Sequence, residues 1–65
     1  MKEKTASIIQ RLRQKYQDDP EALEIIANAV RDIEYIERKE AAGDYTGQSS
    51  ISKAQELDAF LHDWY

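Results

Sequence analysis

The segment between Asp18 and Gly43 restricts the fold more than any other part of the sequence, because both of its ends carry helix signals. Asp19 is a suitable N-cap, and Pro20 suits the first helical position, where its missing N–H would have no partner in any case. Gly43 is a natural stop, since glycine readily adopts the left-handed conformation that ends many helices. The segment therefore predicts one helix from Pro20 to about Ala42.

The apolar side chains of this second helix cover an unusually wide arc. At about 100° per residue they span about 160° of the helix surface. The residues in the arc are Leu23, Ile25, Ile26, Ala29, Val30, Ile33 and Ile36. A helix that packs against a single neighbour needs a narrower stripe, so the arc predicts contact with two neighbours, or with one neighbour and a second protomer.

Two shorter segments can supply such neighbours. A first helix is predicted over residues 5–17, with an apolar face made of Ile8, Ile9, Leu12 and Tyr16. A third is predicted over about residues 50–64, after a polar loop at 43–50. Its apolar residues share an arc of about 140°. They are Ala54, Leu57, Phe60, Leu61, Trp64 and Tyr65.

The third helix begins at one of three serines. Ser52 with Gln55 forms a capping-box pattern, while Ser49 and Ser50 are earlier options. At the other end, Trp64 and Tyr65 are expected to close the core. No alternating strand pattern is present. The sequence therefore predicts an all-α protein: a small three-helix bundle with helix two central, forming a single domain over residues 1–65.

The stability of such a short chain must come from tight packing or from self-association. With 65 residues and no cysteine, the chain has a small core and no disulfide. A homodimer is therefore expected. The charged N-terminus lacks a signal-peptide pattern, and no apolar run approaches the length that spans a bilayer. These features favour a cytoplasmic protein without membrane contact.

Charge is distributed unevenly along the chain. Residues 1–15 carry five basic residues against one acid, a net of +4, whereas residues 16–65 carry twelve acids against four basic residues, a net of −8. The basic residues of the first segment are Lys2, Lys4, Arg11, Arg13 and Lys15. Because an acidic body repels a phosphate backbone, direct nucleic-acid binding is disfavoured. An acidic surface suits a basic protein surface, including one that normally holds DNA.

A polar strip on helix three is the main candidate site. Gln55, Asp58 and His62 are predicted to lie together on the side turned away from Leu57 and Leu61, where they either contact a partner or are simply solvated. His62 is the only histidine and has no nearby nucleophile, so a catalytic triad is disfavoured. Asp58 and His62 alone are too few ligands for a metal site. No motif indicates a cofactor.

Three further residues are candidates for partner contact. Tyr35 on helix two and Tyr45 in the loop are aromatic residues at polar positions, a class enriched at protein interfaces. Glu34 stands one turn before Glu37, which is followed by Glu40. These three acids form either an acidic ridge or a solvated face with Arg38 and Lys39 as partners.

Residues 45–64 resemble a known pattern. They contain Tyr45-Thr46-Gly47, then Ala54-Gln55-Glu56-Leu57-Asp58, and then Leu61 and Trp64. The pattern resembles the stage-zero sporulation regulatory family of bacilli, which are small helical aspartyl-phosphate phosphatases with a Ser-Gln-Glu-Leu-Asp signature. Ala54 stands at the serine position. The resemblance implies that Gln55 and Asp58 enter the acidic site of a phosphorylated response regulator, which would itself supply the metal.

Three functions are consistent with these features. The leading hypothesis is a small acidic regulator or inhibitor that docks a helical surface onto a larger enzyme or signalling protein. A phage-type inhibitor that imitates DNA against a DNA-binding enzyme belongs to this class. The alternatives are a response-regulator phosphatase acting in sporulation or two-component signalling, and a structural dimerisation module.

Overall fold

The computed structural model describes residues 1–64, which form three helices: α1 (Glu3–Lys15), α2 (Pro20–Ala41) and α3 (Ser50–His62). The predicted helix boundaries lie within two residues of these, and residues 1–64 contain no strand. The all-α three-helix bundle is therefore confirmed. Tyr65 lies outside the described residues, so its expected place in the core stays a prediction.

Both ends of α2 are formed by the predicted signals. The Asp19 carboxylate accepts a hydrogen bond from the Ala22 N–H at 3.1 Å, and Pro20 occupies the first turn. At the other end Gly43 has φ +71°, and its N–H donates to the Glu40 carbonyl at 3.0 Å. The Asp44 N–H donates to the Lys39 carbonyl, also at 3.0 Å. Together these two bonds satisfy carbonyls of the last turn that would otherwise lack donors.

The start of α3 selects one of the three serines that the sequence offered. Ser49 is the N-cap and accepts from the Ser52 N–H at 3.2 Å, so Ser52 lies inside the first turn and is not a cap. Ser50 is not the cap either. It is the first residue of the helix and is 1% exposed. The helix begins at Ser50, as predicted, because the first of the three serines already supplies an acceptor for an N–H of the first turn.

All three helices contribute to one core. The packed cluster contains Ile9, Leu12, Tyr16, Ala22, Ile26, Ala29, Val30, Ile33, Ala54, Leu57 and Leu61. α2 contacts both other helices, which accounts for its wide apolar arc without a second protomer. α3 also contacts both, and the contact between α1 and α2 is the smallest of the three, so α2 and α3 share the central position.

Two acids near the end of α2 reach the N-termini of the other two helices. Glu37 accepts from the Lys2 N–H at 2.8 Å, just before α1, and Glu40 accepts from the Ser50 N–H at 3.4 Å, at the start of α3. Carboxylates at helix N-termini are stabilised by the helix dipole. Glu37 and Glu40 therefore do not show the pairing with Arg38 and Lys39 that was one of the two alternatives. Lys39 instead pairs with Asp44 at 3.7 Å.

Replacing Thr5 by valine is expected to raise the free energy of unfolding by about 1 kcal/mol. Thr5 is fully buried, and its hydroxyl oxygen has no hydrogen-bond partner among the described residues. Valine has nearly the same shape and removes a polar group that has lost its hydration. Urea denaturation of both proteins measures the change. A clear loss of stability in Thr5→Val would show that the hydroxyl is satisfied in solution, for example by a buried water.

Candidate functional site

A groove between α2 and α3 is one of several concavities on the bundle. Its volume is about 310 Å³. Apolar side chains from the two helices form its floor, namely Ile25, Ala29, Leu57 and Phe60. Polar and charged side chains form its rims, namely Asn28, Asp32, Lys53 and Glu56. An apolar floor with a few polar groups at its edges is typical of a binding site.

Phe60 corrects the prediction that the whole apolar arc of α3 is buried. Its side chain is 55% exposed, whereas Leu57 and Leu61 are almost fully buried. Phe60 lies at the edge of the arc, on the flank that faces α2, and α2 does not cover it. A large aromatic side chain on the surface therefore borders the groove. Position at the edge of the arc was the only signal in the sequence for this exposure.

The Trp64 ring packs against the Phe60 ring. The two ring centroids are 5.9 Å apart with a 45° tilt, an ordinary geometry for an aromatic pair. Trp64 is half-buried against the core, and its indole N–H donates to the Asp19 carboxylate at 2.9 Å. The expected role of Trp64 in closing the core is thus confirmed. Because core packing and this hydrogen bond fix Trp64, the Phe60 ring packs against a side chain that is held in place.

The rim of the groove on α3 is also held in place. Glu56 accepts a hydrogen bond from the Gln48 side-chain amide at 2.7 Å, and the same amide donates to the Ser52 hydroxyl at 3.3 Å. Gln48 belongs to the loop before α3. The loop therefore orients Glu56 without neutralising its charge, and the carboxylate keeps its place at the groove.

The predicted polar strip on α3 lies along the seam with α1. Gln55 is exposed and borders a second groove, together with Lys2, Lys4 and other residues at the start of α1. Asp58 pairs with Arg11 at 2.7 Å, and its side chain is 42% exposed. His62 is exposed. Gln55 and His62 thus face solvent as predicted, whereas Asp58 is only partly exposed and is held by α1.

The other candidate residues lie elsewhere on the molecule. Tyr35 is 52% exposed, with the Lys39 ammonium 5.8 Å from its ring centroid. Glu34 is exposed on the α1–α2 side, where it borders a groove that also includes Arg13. Tyr45 is half-buried over Gly47, so close that a Cβ on Gly47 would lie 2.7 Å from its hydroxyl. The six predicted site residues therefore do not form a single surface.

The chemistry of the α2–α3 groove suits binding. Its lining contains no serine, cysteine or histidine among the described residues, and so no nucleophile–base pair. Within residues 1–64, no three histidine, aspartate or glutamate side chains come together as a metal-ligand group. None of the three described helices has the length and apolar character that a membrane span requires.

No protein-family model, curated protein or solved structure matches the chain. Function is therefore inferred from the groove and from the charges around it.

Proposed function

We propose that this protein is a small regulator that binds a larger protein through the α2–α3 groove and changes its activity by occupying part of its surface. The observation that carries the proposal is the exposure of Phe60 beside an apolar floor. Burying a phenylalanine side chain contributes about 1.5–3 kcal/mol. Aromatic anchors of this kind often dominate the energy of a protein interface.

The three other grooves have no aromatic side chain in their described linings. The groove between α1 and α2 is bordered by Gln10, Arg13 and Glu34, and the groove between α1 and α3 by Lys2, Glu3 and Lys4. The α2–α3 groove joins a large exposed aromatic side chain to an apolar floor, and this combination favours association.

The size of the chain suits a regulator that acts by covering a surface. A standard interface buries about 800 Å² on each partner. That area is about one sixth of the 4647 Å² that the described residues expose. The groove with its two rims can form the centre of such a contact, and the surrounding surface of the bundle supplies the rest and blocks access to neighbouring parts of the partner.

The two alternative functions receive less support. A response-regulator phosphatase would act through Gln55 and Asp58, but Asp58 is paired with Arg11 and would have to be released. A dimerisation module would use the apolar arc of α2, but α1 and α3 cover most of that arc. Phosphate release from phosphorylated response regulators, compared between the wild type and Asp58→Ala, tests the first alternative.

Crosslinking from the groove, followed by affinity measurement, tests the proposal. A photo-crosslinking amino acid is placed at position 60, or at position 35 as a control, in cells that naturally make the protein. The captured protein is identified, purified and titrated with the wild type, Phe60→Ala and Tyr35→Ala. Phe60 and Tyr35 are similarly exposed, at 55% and 52%. We expect Phe60→Ala to weaken binding about tenfold or more, and Tyr35→Ala to change it little.

The opposite pattern would contradict the proposal. Capture only from position 35, or a partner whose affinity is unchanged by Phe60→Ala, would show that the groove is not the binding surface. Circular dichroism of each variant establishes that the bundle is retained. Because Phe60 lies largely outside the core, its truncation is expected to leave the fold intact.

A further inference from the structure

We infer that the element bound in the α2–α3 groove is a basic amphipathic helix of the partner protein, with apolar residues one turn apart and lysine or arginine on its flanks. This inference rests on the proposed function and goes beyond it, because it specifies the chemistry of the bound segment. Three features of the groove carry it: its helical walls, its length, and the charges along its rims.

The walls of the groove favour a helix over an extended segment. Both walls are α-helices, whose backbone N–H and C=O groups are already paired within the helix. An extended peptide usually gains affinity by pairing its backbone with an open sheet edge, and residues 1–64 contain no strand to offer one. A helix satisfies its own backbone and needs only side-chain contacts, which this groove provides.

The length of the groove sets the spacing of the contacts. Its lining runs from Ile25 to Asp32 on α2 and from Lys53 to Phe60 on α3. Each stretch covers about 10 Å at 1.5 Å per residue, or about two helical turns. A helix lying along the floor therefore presents two or three apolar side chains, at positions i, i+4 and i+7, to Ile25, Leu57 and Phe60.

The charges along the rims select a basic helix. Asp32 stands on the α2 rim and Glu56 on the α3 rim, with Lys53 as the one cation in the described lining. Two more acids, Glu21 and Glu24, are exposed on α2 before the groove begins.

Most of the basic residues are kept away from this face. Residues 1–15 contain five of the nine lysine and arginine residues of the chain. They belong to the α1 segment, whereas the described lining of the groove comes from α2 and α3 alone. An approaching cationic helix therefore meets mainly acids, which steers association and discriminates against acidic partners.

A second copy of the chain does not meet this requirement. Its own basic helix is α1, but Ile9 and Leu12 on the apolar face of α1 are each only 2% exposed. They could reach a neighbouring groove only if the core opened. A second copy therefore cannot offer α1 to the groove, and we assign the groove to a helix of a different protein.

Three synthetic helical peptides, each about four turns long, test the inference. The first carries leucines at i, i+4 and i+7 with lysines on both flanks. The second replaces the lysines with glutamates, and the third keeps the lysines and replaces the leucines with serines. Binding to the intact protein is measured by fluorescence anisotropy at low and at physiological salt. We expect the first peptide to bind about tenfold or more tightly than either of the others.

Variants of the protein assign the binding to the groove. We expect Phe60→Ala to weaken binding of the first peptide about fivefold or more. Tyr35→Ala is the matched control and is expected to leave this binding unchanged. We also expect the double variant Asp32→Asn, Glu56→Gln to weaken binding and to reduce its salt dependence. Glu34→Gln removes an acid on the α1–α2 side and is expected to change neither quantity.

Four results would overturn the inference: no binding of the basic leucine peptide, equal or tighter binding of the acidic peptide, binding of the serine peptide as tight as that of the leucine peptide, or self-association that Phe60→Ala abolishes. The two proposals fail differently. If binding of a captured natural partner requires Phe60 but the protein shows no preference for basic helices, only the charge argument is wrong. If no natural partner depends on Phe60, the proposed function itself is wrong.

Discussion

Replacing Ile33 by alanine is expected to lower the free energy of unfolding by about 2–5 kcal/mol. Ile33 is fully buried in the second half of α2 and belongs to the core cluster shared by the three helices. Its truncation removes buried methyl groups and leaves a cavity that three packed helices can only partly fill. A domain of this size rarely has more than about 3–5 kcal/mol of stability, so a large fraction of the variant is expected to be unfolded.

Tyr35 provides the matched control on the same helix. Its side chain is 52% exposed, and Tyr35→Ala is expected to change stability by no more than about 0.5 kcal/mol. Urea denaturation followed by far-ultraviolet circular dichroism measures both variants. Similar decreases in the free energy of unfolding for Ile33→Ala and Tyr35→Ala would show that the core is not packed as described.

Replacing Asp19 by alanine is expected to lower the free energy of unfolding by about 2–3 kcal/mol, because its two carboxylate oxygens stabilise different parts of the bundle. One oxygen accepts from the Ala22 N–H at 3.1 Å and caps α2. The other accepts from the Trp64 indole N–H at 2.9 Å and fixes the end of α3. Losing the cap costs about 1 kcal/mol. The indole N–H left without an acceptor adds about 1–2 kcal/mol.

Two further substitutions separate these contributions. Asp18→Ala removes an exposed acid next to Asp19 and is expected to change stability little. Asp19→Asn keeps an oxygen for the cap but turns an amide N–H₂ toward Trp64. Its loss of stability is therefore expected to lie between those of Asp18→Ala and Asp19→Ala. Thermal and urea unfolding of the three variants tests this order. Equal stability of Asp18→Ala and Asp19→Ala would contradict the double role of Asp19.

The helix boundaries could be predicted because they depend on neighbouring residues. Asp19, Pro20 and Gly43 act within one turn of the helix ends that they define. The wide arc of α2 indicated either two neighbours or one neighbour and a second protomer, and α2 contacts both other helices. Local patterns were sufficient at both ends of α2, whereas at the start of α3 three nearby serines offered competing caps.

The candidate site could not be predicted in the same way. Arg11 and Asp58 are 47 residues apart, and Lys2 and Glu37 are 35 apart, so their contacts depend on how the helices pack. The exposure of Phe60 depends on how far α2 reaches across α3, which periodicity does not specify. For these reasons the sequence favoured the Gln55 strip, whereas the structure favours the opposite flank of α3.

The contacts of Glu37 and Glu40 bear on the lengthwise alignment of the helices. Leucine, isoleucine and valine are similar enough that apolar stripes tolerate a slide of one turn, about 5.4 Å, with modest loss. Such a slide would separate both carboxylates from the backbone N–H groups that they contact, of Lys2 and of Ser50. Two polar contacts at one end of the bundle thus favour the observed lengthwise alignment of the helices over others that the apolar faces alone would allow.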